Sequence, residues 1–216
     1  MIARPTAKLL VIALTVTFTL SLSAASLTLN EFDAAMRAKP DAGHGEQLFL
    51  GCVACHATDG GGSEQGDAPA IAGQYRGVLI RQLVDFRHAR RWDVRMEGVA
   101  DRHHLQMPQD LADVASYVAA LPVRPTTDKG DGELVLHGGA VYSELCARCH
   151  GPAAAGSESQ RIPRLAAQSY QYLLRQMYYT VDNRRPNLAG VHVAMFKRFD
   201  RDEFVGVADY LSRLTP

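Results

Sequence analysis

The chain has 216 residues, of which 47% are hydrophobic and 21% are charged, and its 23 basic side chains are matched by 23 acidic ones. This composition is ordinary for a soluble globular protein. Since no excess of basic residues is present, the sequence predicts no nucleic-acid partner. Length alone leaves the choice between one domain and two open.

The first 25 residues have the pattern of an export signal. Arg4 and Lys8 supply positive charge, residues 9–22 form an apolar run, and residues 23–25 are small enough for cleavage. The apolar run has 14 residues, whereas a membrane-spanning helix needs about 20. We therefore expect cleavage near Ser26, a bacterial periplasmic location and no membrane span in the mature chain.

An internal repeat follows the export signal. Displacing the sequence by 94 residues superimposes Gly45 on Gly139, Cys52 on Cys146, Cys55 on Cys149, His56 on His150, Pro69 on Pro163, Gln74 on Gln168, Leu79 on Leu173, Arg81 on Arg175, Gln82 on Gln176, and the pair Arg90 and Arg91 on Arg184 and Arg185. Beyond the arginine pair the displacement is 93 residues. A repeat of this length predicts two domains of similar fold.

The hydrophobic spacing in each copy predicts helices. A helix is expected from about Tyr75 to the arginine pair, with an equivalent in the second copy. Each copy closes on an apolar stripe with helical spacing, formed by Leu111, Val114, Val118 and Leu121 and by Phe204, Val207, Leu211 and Leu214. Strand patterns are nearly absent, so the predicted fold is all-α.

The expected organisation is therefore a signal peptide at 1–25 and an N-terminal arm at 26–43, followed by two helical domains at 44–121 and 137–216. Residues 122–136 are rich in Pro, Gly and Thr, which suits a linker. A helical domain of about 80 residues is marginally stable unless another apolar group is buried with it.

All four cysteines belong to two Cys-x-x-Cys-His motifs, Cys52 to His56 and Cys146 to His150. Disulfides would leave both histidines unexplained, the 90 residues between the motifs are far more than paired zinc knuckles use, and no βαβ context supports a thioredoxin-like site. Covalent haem attachment uses all three residues: two thiols bind the vinyl groups and the histidine becomes an axial iron ligand. We expect two covalently bound haem c groups.

The ligand on the other side of each iron decides between electron carriage and an open, reactive iron. In the first copy, Met96, His103, His104 and Met107 are the candidates. Around them the chain resembles the cytochrome c4 family, dihaem proteins of two class I cytochrome c domains. The resemblance covers about residues 44–214 and rests on both haem motifs, on PAIAGQY and PRLAAQSY, on LIRQLVDF and LLRQMYY, on the arginine pairs, and on DLADVASYV and EFVGVADYL.

The resemblance implies roles for further residues. Met96 in MEGVAD matches the family's methionine ligand, although three extra residues precede the last helix. In the second copy the family's spacing leads to His192, with Met195 as the alternative. Pro69 and Pro163 occupy the positions whose carbonyls accept a hydrogen bond from the haem histidines. The two arginine pairs are candidates for the haem propionates, with ordinary solvation at helix ends as the alternative.

The same resemblance implies a periplasmic one-electron carrier that shuttles electrons between membrane-bound redox complexes, with a quinol-oxidising complex as donor and a terminal oxidase or reductase as acceptor. No catalytic residue is expected. The alternatives are a dihaem redox enzyme resembling thiosulfate dehydrogenase and a cytochrome subunit of a larger dehydrogenase.

The motifs predict a haem count that is simple to measure. The purified mature protein is expected to give two haems per chain in a pyridine haemochrome assay, because each motif attaches one porphyrin. A bare polypeptide mass, or a mass corresponding to two disulfides, would contradict the assignment.

Overall fold

The structure is a computed structural model that describes residues 27–215, so the predicted export signal lies outside the described part. The described helices are α1 at 27–37, α2 Ala42–Phe49, α3 Val53–His56, α4 Arg76–Arg87, α5 Val94–Val99, α6 Pro108–Ala120, α7 Val135–Leu145, α8 Ala147–His150, α9 Tyr170–Val181, α10 Gly190–Phe196 and α11 Arg201–Arg213. Within residues 27–215 there is no β-strand, and none of the helices is long and apolar enough to cross a membrane. The all-α prediction is confirmed.

The first half packs around the crossing of α2 and α6. Three residues of the predicted stripe, Leu111, Val114 and Val118, are buried on α6, and Leu121 just after the helix is partly buried. Phe49 of α2 packs on Tyr117 with ring centres 5.5 Å apart. The core of this half consists of Phe32, Ala35, Phe49, Ile80, Val84, Leu105, Leu111, Val114, Ala115 and Val118. Complete burial of a Val, Leu, Ile or Phe side chain stabilises the folded state by about 1.5–3 kcal/mol.

The second half repeats this packing with α7 and α11. Tyr142 of α7 stacks on Tyr210 of α11, again with ring centres 5.5 Å apart. Its core consists of Val141, Tyr142, Ala154, Ala166, Leu173, Met177, Phe196, Phe204, Val207, Ala208 and Leu211. Two cores with the same helix crossing agree with the tandem domains that the repeat predicts.

The two helix crossings correct the register of the repeat. A methyl group on Gly45 would lie 2.3 Å from the carbonyl oxygen of Asp113, and one on Gly138 would lie 1.9 Å from that of Gly206. Gly45 therefore corresponds to Gly138, not to Gly139 as the constant displacement suggested. The difference of one residue arises because α2 ends before Leu50 and Gly51, whereas α7 runs directly into Cys146.

Residues 26–43, expected to form an extra N-terminal helix or arm, include α1, which packs into the first core through Phe32 and Ala35. Buried Glu31 of this helix pairs with three basic side chains, Arg87, His88 and Arg102. Burial alone would raise the pKa of Glu31, but the hydrogen bond from His88 and the charge of Arg87 lower it below its usual value. A buried and satisfied ion pair of this kind fixes α1 on the first domain.

The linker is also held in place. Buried Asp209 of α11 accepts hydrogen bonds from the backbone N–H groups of Gly130 and Gly132, at 3.0 and 2.8 Å. Asp128 accepts hydrogen bonds from the Ser169 hydroxyl and from the backbone N–H of Gln171 at the start of α9. These contacts fix the linker against the second domain, which sequence composition alone does not indicate.

The close helix crossing predicts that substitution by alanine destabilises the protein much more at one glycine of α2 than at another glycine two residues away. Gly45→Ala is expected to cost about 1–3 kcal/mol of unfolding free energy, because the new methyl group forces α2 away from α6. Gly43→Ala is the matched control: its methyl group would meet only a side-chain oxygen at 3.4 Å, and the change stays within about 1 kcal/mol. Denaturant unfolding of both holoproteins measures the difference, and equal stabilities would contradict the packing argument.

Candidate haem-binding sites

In the first domain, α3 positions the residues of the first haem motif. Cys52 caps this single turn, and His56 at its end is 5% exposed. The following residue, Ala57, has a positive φ of 60°, which turns the chain away from the helix. The Nδ1 atom of His56 lies 2.9 Å from the carbonyl oxygen of Pro69. Since a carbonyl only accepts, Nδ1 carries the proton and Nε2 is left as the electron-pair donor.

The second domain reproduces this arrangement. His150 ends α8 and is 8% exposed, and Gly151 after it has a φ of 78°. The Nδ1 atom of His150 lies 3.1 Å from the carbonyl oxygen of Pro163. Both proline carbonyls thus stand where a hydrogen bond would orient a metal-binding imidazole.

Burial sets the protonation of the site residues. It lowers the pKa of His56 and of His150 despite the hydrogen bonds to the prolines, so both imidazoles are neutral near pH 7, the form that binds metals. Burial also raises the pKa of Cys52 and of Cys146 to about 11. None of the four cysteines forms a disulfide.

Two glycines that the sequence analysis did not single out complete the loops. Gly62 has a φ of 84°, and its backbone N–H donates to the carbonyl of His56 at 3.0 Å. A methyl group there would lie 2.6 Å from the carbonyl carbon of Pro69. Gly156, 94 residues later, holds the same position against Pro163. Gly62 and Gly156 are as far apart in sequence as the two haem motifs, so the internal repeat contained the signal that could have identified them.

The distal candidates of the first domain differ in exposure. Met96 lies in α5 and is partly buried, whereas Met107 is 60% exposed. His103 and His104 are exposed, and the ring of His104 is bound to Asp101 at 2.9 Å. The charge of Arg95, next to Met96, acts on His56, so the start of α5 lies near the haem histidine. Met96 is the one of these four candidates that is partly buried, and its role as a ligand stays a prediction.

In the second domain the structure brings His192 next to His150. Their ring centres are 6.2 Å apart, and their planes meet at 73°. The Nδ1 atom of His192 is buried and makes no hydrogen bond of normal geometry within residues 27–215, although the backbone of Ala189 still influences its pKa. Burial and the nearby His150 and Arg185 lower the pKa of His192, which keeps this ring neutral as well. Met195, one turn later, packs against the hydrophobic core instead.

The separation of the His150 and His192 rings matches the one that a shared metal would require. A metal-to-imidazole bond is about 2 Å long, so two rings that share one metal have centres roughly 6 Å apart. The observed 6.2 Å fits this arrangement. A buried ring nitrogen without a partner is costly unless a bond satisfies it.

Two of the predicted arginines, Arg91 and Arg185, lie close to residues of the opposite domain. Arg91 is 7% exposed and donates to Gln82, Tyr172 and Gln176 at 2.6–2.8 Å. Burial and the charge of Arg91 lower the pKa of Arg185 to about 9. The Nε atom of Arg185 is buried without a hydrogen-bond partner among the described residues. Anionic groups such as haem propionates would satisfy this excess of donors.

The other two predicted arginines are differently placed. Arg90 pairs with buried Asp85 at 3.6 Å and is 44% exposed. Arg184 stacks over the rings of Trp92 and Tyr179, 4.8 and 4.4 Å from their centres. Arg185, whose Nε atom has no partner among the described residues, is therefore the member of the pairs that best fits a propionate. Arg164, which was not among the predicted residues, also has a buried and unpartnered Nε atom.

Taken together, the two thiol pairs, the neutral histidines held by proline carbonyls and the partly buried arginines whose Nε atoms lack a partner within residues 27–215 fit one haem in each domain. The fold and these sites define a c-type cytochrome with two haems.

Comparison with known proteins agrees with this class. The sequence profile of the cytochrome c family matches residues 42–122 and again 135–215. A cytochrome c4 from Thiocapsa roseopersicina is 31% identical over 177 residues, which are 76% of this chain and 87% of that protein. A protein of Stutzerimonas stutzeri named thiosulfate dehydrogenase electron acceptor is 29% identical, over 76% of this chain and 79% of its own.

A solved structure shows the same fold. The reduced recombinant cytochrome c4 from Pseudomonas stutzeri superimposes with a TM-score of 0.72 at 22% sequence identity, over 82% of this chain and all of that one. The chain belongs to the cytochrome c4 family. It is a dihaem c-type electron carrier with two covalently bound haem c groups.

The proline loops predict a matched pair of variants. Gly62→Ala is expected to cost about 1–3 kcal/mol of unfolding free energy, because it strains a positive φ and presses on Pro69. Gly61→Ala, whose methyl group meets only the side chain of Asp59, is the control. Denaturant unfolding of the holoproteins measures both, and a neutral Gly62→Ala would contradict the role of this loop.

Proposed function

We propose that this protein is an exported carrier whose two irons are each held by two protein ligands, His56 and Met96 in the first domain and His150 and His192 in the second. The observation that carries the proposal is the facing pair His150 and His192, 6.2 Å apart. Two occupied axial positions leave no open site for substrate, which favours electron transfer over catalysis.

The chain contributes fixed geometry and charge to this function. When bound, haem supplies an iron couple that takes up and releases one electron. Pro69 and Pro163 hold the proton on Nδ1 of each haem histidine, and this makes Nε2 a better donor to iron. Arg91 and Arg185 place positive charge between the domains, where the propionates would lie.

The proposed ligand sets make the two haems unequal. Methionine ligation raises the potential of a haem relative to ligation by two histidines. The first domain would therefore hold the electron more tightly than the second. An electron entering through the second domain would pass to the first, and this gives the molecule a preferred direction.

We further propose a periplasmic location, supported by the signal pattern of residues 1–25 and by the cytochrome c4 relatives. A quinol-oxidising complex is the proposed donor, and a terminal oxidase or reductase is the proposed acceptor. The name of the Stutzerimonas stutzeri relative makes a thiosulfate dehydrogenase a second candidate donor.

Substitution of the distal histidine tests the ligand assignment. His192→Ala is expected to convert one of the two haems from low to high spin, because the iron loses its second protein ligand. His192→Met is expected to raise the potential of the same haem, and the two potentials then move closer together. EPR spectroscopy and an optical redox titration of the purified holoprotein measure both effects.

Met195→Leu is the matched control for this test. It keeps the volume and the apolar character of a side chain that packs on the core, and it is expected to leave both spin states unchanged. A high-spin haem in Met195→Leu with an unchanged His192→Ala would identify Met195 as the ligand and overturn the assignment.

The enzyme alternative has a separate test. If all four axial positions are occupied by the protein, the reduced holoprotein is expected to bind no carbon monoxide at stoichiometric level near neutral pH. Binding of one carbon monoxide per chain, measured by the shift of the haem absorption, would instead indicate an open iron and a dihaem enzyme.

A further inference from the structure

The two domains meet through a reciprocal pair of glutamine contacts. The side-chain amide of Gln74 donates to the carbonyl of Arg164 at 3.0 Å and accepts from its backbone N–H at 3.1 Å. The amide of Gln168 does the same with Ala70, at 2.8 and 3.0 Å. Because a backbone N–H only donates and a carbonyl only accepts, these contacts fix the orientation of both amides.

These contacts fall on the peptide groups that hold the haem histidines. The carbonyl of Pro69 and the N–H of Ala70 belong to one peptide unit, whose oxygen faces Nδ1 of His56 while its N–H donates to Gln168. The carbonyl of Pro163 and the N–H of Arg164 form the equivalent unit, which joins His150 to Gln74. Each haem histidine is thus one peptide group away from an amide of the opposite domain.

Hydrogen bonds that share one peptide group strengthen each other. Donation from the N–H shifts electron density toward the carbonyl oxygen, and the oxygen then becomes a better acceptor for the histidine proton. A histidine that donates a stronger Nδ1 hydrogen bond is a more basic ligand, which stabilises the oxidised iron. The glutamine of one domain therefore acts on the iron of the other.

We propose that Gln168 and Gln74 are positioning residues that each lower the reduction potential of the haem in the opposite domain. The inference rests on the proposed function in one respect, the binding of iron by His56 and His150. Neither glutamine touches a haem histidine, so each acts only through the shared peptide group. The two domains are coupled in this way in addition to their packing.

The test uses two reciprocal variants of the holoprotein. Gln168→Met removes the acceptor but keeps the length of the side chain, and it is expected to raise the potential of the haem in the first domain more than that of the other. Gln74→Met is expected to do the reverse. Optical redox titration measures the shifts, and each variant serves as the control for the other.

A spectroscopic signal separates this role from loosening of the interface. In reduced protein with nitrogen-labelled histidine, the Nδ1–H resonance of His56 is expected to move upfield in Gln168→Met, while that of His150 stays in place. Gln168→Asn withdraws the amide by one methylene and is expected to give the same pattern, so the test does not depend on one variant folding.

Tyr75→Phe is the control for the interface itself. It removes the hydrogen bond from the Tyr75 hydroxyl to the carbonyl of Ala155, 2.9 Å across the domain boundary, without touching either shared peptide. Tyr75→Phe is expected to leave the difference between the reduction potentials of the two haems unchanged.

Equal shifts of both haems in a glutamine variant, a shift confined to the haem of its own domain, or no shift would overturn the inference. With a haem count of two and low-spin irons, the proposed function would still stand. A haem count below two would overturn both, whereas a high-spin iron in the unsubstituted protein would overturn the proposed ligand sets and leave the inference about the glutamines in place.

Discussion

Each half of the molecule depends on one hydrogen bond, from a buried histidine to a proline carbonyl. The bond decides which ring nitrogen keeps its proton, and burial keeps the ring neutral. The neighbouring features serve this geometry: a one-turn helix delivers the histidine, and a glycine with positive φ lets the loop close on the proline. The helix crossing behind them gives this loop a rigid support.

The two halves use this common plan differently. The second domain sets His192 opposite His150, whereas the first places a partly buried methionine on a short helix near His56. The first domain also carries α1, fixed by the buried Glu31 cluster. The inequality that we propose for the two haems would thus arise from the segments between the arginine pair and the last helix, where the repeat is least regular.

The fold class, the tandem arrangement and the haem motifs could be predicted from the sequence, because covalent attachment uses a fixed spacing and the core helices show clear periodicity. The register of α2 and α7 could not, since a helix that continues into Cys146 and one that stops before Cys52 differ by only one residue. Gln74 and Gln168 were visible as repeated residues, yet their contacts depend on how the domains pack. The ring contact between His192 and His150 also joins residues far apart in sequence.

The adjacent guanidinium groups of Arg91 and Arg185 have a consequence for biogenesis. In a polypeptide that has not received its porphyrins, the charge of Arg91 would act on Arg185 with Asp85 and Tyr172 as the opposing influences, and the repulsion would weaken the contact between the halves. Carboxylates of the cofactors would attract the same cations. The two arginines therefore tie the cohesion of the halves to the presence of the porphyrins.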